Sequence, residues 1–232
     1  MKQTLFITGT DTGVGKTVLT ALLVRFLRER GGNAAALKPV CSGSRADARK
    51  FFAAMDGALS LDEINPWHFR AAIAPLLAAR RESKRVELSQ ALAQIRVVQR
   101  RFDVLLVEGA GGLLSPLGEN FSSRDLIASL RATPIIVAQN KLGAINQILL
   151  ALEALPERIR TKARVVFVAP PKPDASTKSN ANLLAEFFPA GKIFMLPRLG
   201  KSFDGAQALK NSRVRRALKS LFSELFAVDF SK

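Results

Sequence analysis

Residues 5–19 read Leu-Phe-Ile-Thr-Gly-Thr-Asp-Thr-Gly-Val-Gly-Lys-Thr-Val-Leu, and this stretch decides the fold. It opens with an apolar run, passes through a glycine-rich turn at residues 9–15, and continues with apolar residues at helical spacing as far as Leu27. A turn between a strand and a helix presents backbone N–H groups and the positive end of the helix to an anion. The stretch therefore predicts a strand, a phosphate-binding loop and a helix.

The side chains that end the turn have the chemistry of such a loop. Lys16 would neutralise the β- and γ-phosphate oxygens of a nucleotide, and the Thr17 hydroxyl would bind magnesium. The strict pattern G-x-x-x-x-G-K-[ST] fails at one position, because Thr10 stands where the first glycine belongs. The order of strand, loop and helix still favours nucleotide binding over a purely structural turn. The residues predicted to surround the phosphates are Gly13, Val14, Gly15, Lys16, Thr17 and Val18.

A second apolar strand ends in an acidic residue. Residues 103–108 read Asp-Val-Leu-Leu-Val-Glu, and the next four residues are Gly-Ala-Gly-Gly. A carboxylate at the C-terminal end of a buried strand stands where P-loop folds hold magnesium, and the glycines let the backbone run close to a ligand. We therefore predict Glu108 as a magnesium ligand, with Gly109, Ala110 and Gly111 beside the nucleotide.

Lys38 and Ser42 follow the predicted strand Ala34–Leu37, and so lie at the same sheet edge as the phosphate-binding loop. A lysine there can face the ligand crevice, although on these residues alone a solvated lysine and a turn serine stay open. Cys41 is expected to pack as a small apolar residue. The single histidine, His68, has no partner at ligand spacing, so neither a zinc site nor a histidine base is predicted.

Further apolar runs alternate with helical patterns along the chain. The remaining predicted strands are 104–107, 135–138, 165–169 and 193–196, and the predicted helices are 88–98, 126–130 and 144–155. Each strand is continuously apolar, so both faces of the sheet must be covered. The pattern predicts an α/β fold of the P-loop NTPase type, with a mostly parallel central sheet and helices on both faces. We expect one domain over residues 1–232, with an amphipathic helical segment at about 202–228.

The composition limits the class of protein. The chain has 232 residues and a formal net charge of +16. No apolar run reaches the roughly 20 residues of a membrane-spanning helix, no signal peptide fits before the first strand, and one cysteine gives no sign of an oxidising compartment. We expect a cytoplasmic protein with no membrane partner. The charge would suit polyanions or a solvated basic surface, and because it is dispersed we predict no specific nucleic-acid partner.

Five ordered segments of the sequence are similar to those of the dethiobiotin synthetases, a family of biotin biosynthesis. The similarity spans most of the chain. It extends to Thr10, since the family has threonine where the general loop pattern has glycine. The five segments are residues 8–17, 38–43, 65–75, 107–117 and 142–146.

This resemblance implies an ATP- and Mg²⁺-dependent ligase that closes the ureido ring of dethiobiotin from 7,8-diaminopelargonate and CO₂. A carbamate forms on one amine, its oxygen attacks the γ-phosphate to give a carbamic-phosphoric anhydride, and the second amine closes the ring. The resemblance also implies a homodimer, formed in part by the segment that contains Asn146. It assigns Lys16 and Lys38 to catalysis, Thr12 and Ser42 to substrate, Thr17, Asp47 and Glu108 to magnesium, and Pro197 to the base pocket.

Two assignments stay open within the family pattern. Asp56 is an alternative to Asp47 as magnesium ligand, because the loop after Ser42 is shorter than usual for the family. Pro170 and Pro171 stand where many members have an asparagine that reads adenine, so the base preference is open.

Three other functions compete with this one. A partitioning or positioning ATPase that binds DNA or membrane would suit the charge, but those proteins carry a second lysine in the loop where this chain has Asp11. An amide-forming ligase of the cobyrinate type usually adds a glutamine-hydrolysing domain, for which this chain has no length left. A nucleotide-binding protein without turnover is the third, and mutant kinetics would distinguish it.

Overall fold

A computed structural model describes residues 2–199 and 205–226. A six-stranded sheet forms its centre, and two smaller sheets lie beside it. The strands of the described residues are β1 (Gln3–Gly9), β2 (Ala34–Leu37), β3 (Val40–Ser42), β4 (Trp67–Phe69), β5 (Val104–Glu108), β6 (Pro116–Gly118), β7 (Phe121–Ser122), β8 (Thr133–Gln139), β9 (Arg164–Val168) and β10 (Ile193–Leu196).

The central sheet has the order β10-β9-β8-β1-β5-β2, and every pairing in it is parallel. β1 lies inside the sheet, and later strands pair on both sides of it, so the direction of winding reverses beside β1. In open α/β sheets such a reversal leaves a crevice outside the carboxyl ends of the strands, where ligands bind. The phosphate-binding loop follows β1 and Glu108 ends β5, so both reach this crevice.

The apolar runs explain why these strands are central. Leu5, Phe6 and Ile7 of β1 are fully buried, as are Leu105 and Leu106 of β5. Successive residues of a strand point to opposite faces, so burial of three in a row requires cover on both sides. Each such side chain contributes about 2 kcal/mol when it leaves water.

Helices supply that cover. α1 contacts β1, β2 and β5, while α6 contacts β1 and packs against α5; α10 and α11 pack on α1. The predicted parallel sheet with helices on both faces is therefore confirmed. The α-helices of the described residues are α1 (Lys16–Arg28), α2 (Ala46–Ala54), α3 (Leu61–Ile64), α4 (Pro75–Arg81), α5 (Leu88–Gln99), α6 (Ser123–Leu130), α7 (Ala144–Glu153), α8 (Glu157–Arg160), α9 (Asn180–Ala185), α10 (Gly205–Leu209) and α11 (Ser212–Phe226).

The six predicted strands are the six strands of the central sheet, and the four predicted helices are α1, α5, α6 and α7. The small sheets β3–β4 and β6–β7 and the helices α2, α3, α4, α8 and α9 lie where no element was expected. Strands of two or three residues and helices of four to nine residues leave too little periodicity in a sequence.

The helical segment predicted at about 202–228 contains α10 and α11, and its residues 202–204 and 227–228 lie outside the described part. One side of α11 is buried and the other is basic and exposed, as an amphipathic helix requires. The buried residues are Val214, Leu218, Leu221 and Leu225, and the exposed ones include Arg213, Arg215, Arg216 and Lys219. Within the described residues, no helix has the length and hydrophobicity that a membrane span requires.

Candidate active site

The phosphate-binding loop joins β1 to α1, and glycines permit its shape. Gly13 and Gly15 have φ angles of 75° and 107°, which residues with a side chain rarely adopt. A Cβ atom at Gly15 would also lie 3.0 Å from Cγ2 of Val168, at the end of β9. α1 begins at Lys16 with Gly15 as its N-cap, so the first N–H groups of the helix border the loop, as anion binding needs.

Lys16 lies beneath the loop with 6% of its surface exposed. Its Nζ atom donates hydrogen bonds to the carbonyl oxygens of Asp11 and Gly111, each at 2.7 Å. Burial lowers the pKa of Lys16 to about 8, and the Glu108 carboxylate opposes this shift. Both hydrogen-bond acceptors are neutral, so the ammonium charge can pair with an anion in the loop.

Glu108 is fully buried, and its carboxylate accepts three hydrogen bonds. Oε1 accepts hydrogen bonds from Thr17 Oγ1 at 2.8 Å and from Lys38 Nζ at 2.6 Å, and Oε2 accepts one from Thr20 Oγ1 at 2.7 Å. A buried charge needs partners of this kind. Nothing in the sequence marks Thr20 for this role, because threonines on the buried side of a helix are common.

Lys38 lies between two carboxylates. Its Nζ atom is 2.6 Å from Glu108 Oε1 and 2.9 Å from Asp47 Oδ2. Burial lowers the pKa of Lys38, but Glu108 and Asp47 outweigh that effect and raise the pKa above its ordinary value. Burial raises the pKa of Asp47, but Lys38 and a hydrogen bond from Thr17 outweigh it and lower the pKa. Lys38 is therefore a buried cation, 6% exposed, and the alternative of a solvated lysine is wrong.

Asn65 holds the backbone around Lys38, and it is 1% exposed. Its Nδ2 donates to the carbonyl oxygens of Lys38 at 2.8 Å and Trp67 at 3.2 Å. Arg45, which precedes α2, donates to the Asn65 carbonyl oxygen at 2.9 Å and to Asn65 Oδ1 at 3.3 Å. Since Asp47 lies in the first turn of α2, the pair Arg45 and Asn65 connects the segments that carry Lys38 and Asp47.

Replacing Asn65 by alanine is expected to lower the free energy of unfolding by about 2 kcal/mol, because the buried Lys38 carbonyl oxygen loses its donor. Urea denaturation measures this loss. Asn182→Ala is the matched control, since Asn182 is exposed on α9 and its loss should change stability by less than about 0.5 kcal/mol. An Asn65→Ala protein as stable as this control would show that the amide does not hold the Lys38 segment.

A cavity of about 730 Å³ opens beside the loop. Eleven residues predicted for the site line it, and they come from the loop, the start of α1, the segments after β2 and β5, the end of β3 and the first turn of α2. They are Thr12, Gly13, Gly15, Lys16, Thr17, Val18, Lys38, Ser42, Asp47, Ala110 and Gly111. Further lining residues were not predicted as site residues, although three of them lie in the similar segments 65–75 and 107–117. They include Ser44, Lys50, Ile73, Ser115 and Pro116.

β3 carries two small side chains to this cavity. Ser42 Oγ donates to the carbonyl oxygen of Ile73 at 2.6 Å. Cys41 is 5% exposed, and burial raises the pKa of its thiol. Cys41 therefore packs as a small neutral residue, as the sequence predicts.

Four predicted residues lie outside the cavity lining. Val14 is buried, and Glu108 is fully buried next to Lys38. A Cβ atom on Gly109 would lie 2.2 Å from Ser123 Oγ. Glycine is therefore required at this position because α6 packs against it, and not because a ligand approaches it. Pro197 follows β10 and is half-buried.

The two candidate aspartates differ clearly in position. Asp47 borders the cavity, whereas Asp56 is exposed beyond the C-terminal end of α2. Asp56 Oδ1 lies 3.3 Å from Nη1 of Arg25, in the last turn of α1 and away from the loop. The geometry therefore supports Asp47.

The oxygen atoms around Lys38 Nζ suit a hard cation such as Mg²⁺. Thr17 Oγ1 and a carboxylate oxygen of Asp47 lie near Glu108 Oε1, and magnesium prefers one or two carboxylates together with phosphates and water. Among the residues that the structure describes, no group of three or more His, Cys, Asp or Glu forms a metal cluster. The protein side chains would therefore hold the ion only with ligands from a nucleotide and solvent.

Without divalent metal, ATP binding is expected to weaken above pH 8, where Lys16 loses its proton in the unliganded protein. A bound phosphate stabilises charged Lys16, so binding requires proton uptake above that pH and none below it. ATP titrations in EDTA between roughly pH 7 and 9.5 should show Kd rising by up to about tenfold per pH unit. Lys16→Arg is the control, because arginine stays charged over this range and its Kd for ATP should not change with pH. A Kd of the parent protein that does not change with pH would contradict the prediction.

Binding of phosphate at the turn after a central strand is what P-loop proteins share. The loop, its lysine and the carboxylate at the neighbouring strand end place this chain in that class. A family model described as an AAA domain matches residues 3–202.

Relatives define the class more narrowly. The ATP-dependent dethiobiotin synthetase of Akkermansia muciniphila is 37% identical over 204 residues, which cover 88% of this chain and 93% of that protein. The ATP-dependent dethiobiotin synthetase of Thermodesulfovibrio yellowstonii is 34% identical over 232 residues, which cover 91% and 96%. The chain belongs to the dethiobiotin synthetase family, as its five sequence segments indicate.

Two solved structures resemble the fold. The MinC:MinD cell division complex of Aquifex aeolicus contains a chain with a TM-score of 0.63 and 14% identity, covering 99% of this chain and 98% of that one. The pNOB8 ParA protein bound to nonspecific DNA gives a TM-score of 0.62 and 13% identity, with 99% and 100% covered. At these identities the likeness concerns the fold alone, and it agrees with the P-loop NTPase-like architecture.

Proposed function

We propose that the protein is an ATP-dependent dethiobiotin synthetase of the cytoplasm, which closes the ureido ring of dethiobiotin from 7,8-diaminopelargonate and CO₂. One observation carries the proposal: the buried cations Lys16 and Lys38 border the same cavity beside a phosphate-binding loop. The chain's identity of 37% and 34% to two named synthetases supports the choice of reaction.

The reaction requires three chemical steps. A substrate amine adds to CO₂ and loses a proton, which gives a carbamate. A carbamate oxygen then attacks the γ-phosphorus of ATP, ADP leaves, and a carbamic-phosphoric anhydride results. The second amine attacks the carbonyl carbon, loses a proton and expels phosphate. Negative charge collects around the transferred phosphoryl group, so positioned cations are the main contribution that the protein can make.

The side chains of the cavity meet these needs. Lys16 brings positive charge to the loop, and Lys38 brings a second cation from the segment after β2. Thr12 and Ser42 would hydrogen-bond the carbamate, for which Ser42 has to turn its hydroxyl proton away from Ile73. Magnesium, held by Thr17, Asp47 and Glu108, would neutralise phosphate oxygens.

We also propose a homodimer in which α7 contributes to the interface. Leu142, which precedes α7, and Leu150, which lies on it, are 80% and 63% exposed. Asn146 is exposed on the same helix. In this proposal the two exposed leucines belong to the surface that the second chain covers. Sedimentation velocity should therefore give the mass of two chains.

The proposal is tested by an assay with diaminopelargonate, bicarbonate, Mg²⁺ and ATP, in which dethiobiotin is identified by mass and phosphate release is followed in time. We expect one phosphate per dethiobiotin and no release without the diamine. Parallel reactions with CTP, GTP and UTP address the base preference that Pro170 and Pro171 leave open. Phosphate release that is independent of the diamine but stimulated by DNA or lipid vesicles would instead support a positioning ATPase, and the absence of dethiobiotin with every nucleotide would refute the synthetase.

A further inference from the structure

We infer that Lys38 is the built-in counter-cation of the magnesium site. Its ammonium group occupies the place between Glu108 and Asp47 while the protein is free of ligands. The ammonium group moves away from these carboxylates when a divalent cation enters together with the triphosphate. The inference rests on the magnesium site of the proposed function, and it is independent of which substrate receives the phosphoryl group.

The geometry is that of a cation site filled by a lysine. Lys38 Nζ lies 2.6 Å from Glu108 Oε1 and 2.9 Å from Asp47 Oδ2, and both oxygens belong to carboxylates suited to magnesium. Glu108 Oε1 also accepts the hydroxyl of Thr17, at 2.8 Å. An ion bound by these oxygens and the ammonium group of Lys38 cannot occupy the same position.

The charges favour an exchange over simple addition. In the free protein two carboxylates lie near two buried lysines, Lys16 and Lys38, so these four charges balance, and Lys50 adds a positive charge at the cavity lining. A divalent cation entering alone would leave at least two uncompensated positive charges in a mostly buried site, which is strongly unfavourable. A triphosphate brings the missing negative charge. Metal should therefore bind tightly only with the nucleotide, and the metal-free site should not bind stray cations.

The released ammonium has a place to go. Lys38 borders the cavity, and its four-carbon side chain lets the charge move while the backbone stays held by Asn65. The exchange would therefore deliver the Lys38 cation into the cavity at the moment when the phosphoryl group arrives. In this way Lys38 couples occupancy of the metal position to positive charge near the reacting groups.

The test is calorimetric titration of Mn²⁺ into the full chain without nucleotide or diamine. Lys38→Met and Lys38→Gln remove the competing charge, and each should bind Mn²⁺ about tenfold more tightly than the parent, or better. Lys38→Arg keeps the charge and should stay close to the parent. Lys16→Met is the comparison variant, because Lys16 is equally buried but donates to carbonyl oxygens and does not occupy the place between the carboxylates, so it should gain clearly less affinity than the neutral Lys38 variants.

A further variant locates the ion. Adding Glu108→Gln to Lys38→Met should remove the gained affinity, because the carboxylate that binds the metal is lost. Circular dichroism confirms that each variant is folded, and the use of two neutral replacements guards against failure of one. The inference is overturned if neither neutral variant binds Mn²⁺ more tightly than the parent, or if Lys38→Arg gains as much as they do. A protein that makes no dethiobiotin could still show the expected changes in Mn²⁺ affinity. Failure of the proposed synthetase function and failure of this inference about Lys38 can therefore be distinguished.

Discussion

Lys16→Met is expected to lower the rate of ring closure by about a thousandfold or more at saturating ATP. Lys16 lies under the phosphate-binding loop and bonds only to neutral carbonyl oxygens, so its charge is available to the transferred phosphoryl group. Single cations or donors aimed at such a group contribute factors of about 10³. Steady-state kinetics, with dethiobiotin and phosphate as readouts, measure the loss in kcat.

This variant should remain folded. Burial lowers the pKa of Lys16 to about 8, which means that the fold bears a cost for the charged form at neutral pH. Methionine has a similar length and no charge, so relief of this cost should offset the loss of the hydrogen bonds to Asp11 and Gly111, and the free energy of unfolding should change little. Lys162→Met changes the net charge equally at an exposed position and should keep the parent's rate. A Lys16→Met enzyme within about tenfold of the parent would contradict the assigned role.

Glu108→Ala is expected to lower the free energy of unfolding by about 3 kcal/mol or more, and to abolish dethiobiotin formation. Glu108 is fully buried and accepts hydrogen bonds from Lys38, Thr17 and Thr20. Alanine leaves the two hydroxyl groups without this acceptor and leaves Lys38 with Asp47 alone. Removal of one partner of a buried ion pair typically costs about 3–5 kcal/mol. Urea denaturation, together with the assay, gives both effects.

Glu108→Gln separates the charge of this residue from its shape. Glutamine keeps one acceptor oxygen, so one threonine hydroxyl can still donate to it while the other can accept from the amide NH₂. The loss of stability should therefore be smaller, while Mg²⁺-dependent turnover should still be lost. Glu186→Ala, exposed after α9, is the control for a carboxylate lost at the surface, where changes stay within about 0.5 kcal/mol. If Glu108→Ala is as stable as this control, the buried ion pair of Glu108 and Lys38 does not stabilise the end of β5.

The central sheet and the phosphate-binding loop could be predicted because their signals are local. Each strand of the sheet is one continuous apolar run, and the predicted bounds of β2 and β10 agree with the structure. Lys16 and Thr17 directly follow the glycine turn, so their position needs no knowledge of distant contacts. The carboxylate at Glu108 could be placed because the end of a parallel strand fixes its edge of the sheet.

The contacts of Lys38 could not be predicted in the same way, because its partners lie 9 and 70 residues away in sequence. Nothing local distinguishes Asp47 from Asp56. The distinction comes from α2, which places Asp47 in its first turn at the cavity and Asp56 past its last turn, roughly 13 Å along the helix axis. The roles of Asn65 and Thr20 likewise depend on neighbours that a single sequence does not reveal.

Cys41 has a practical consequence. It is the single cysteine of the chain, and it stands at the rim of the region where phosphates and substrate are proposed to meet. A thiol reagent can therefore attach to one atom only, but that thiol is 5% exposed with a raised pKa, so labelling should be slow and should require a local opening of β3. The labelling rate then measures how often β3 opens, and bound nucleotide should lower it in the unaltered protein, with no probe introduced by mutagenesis.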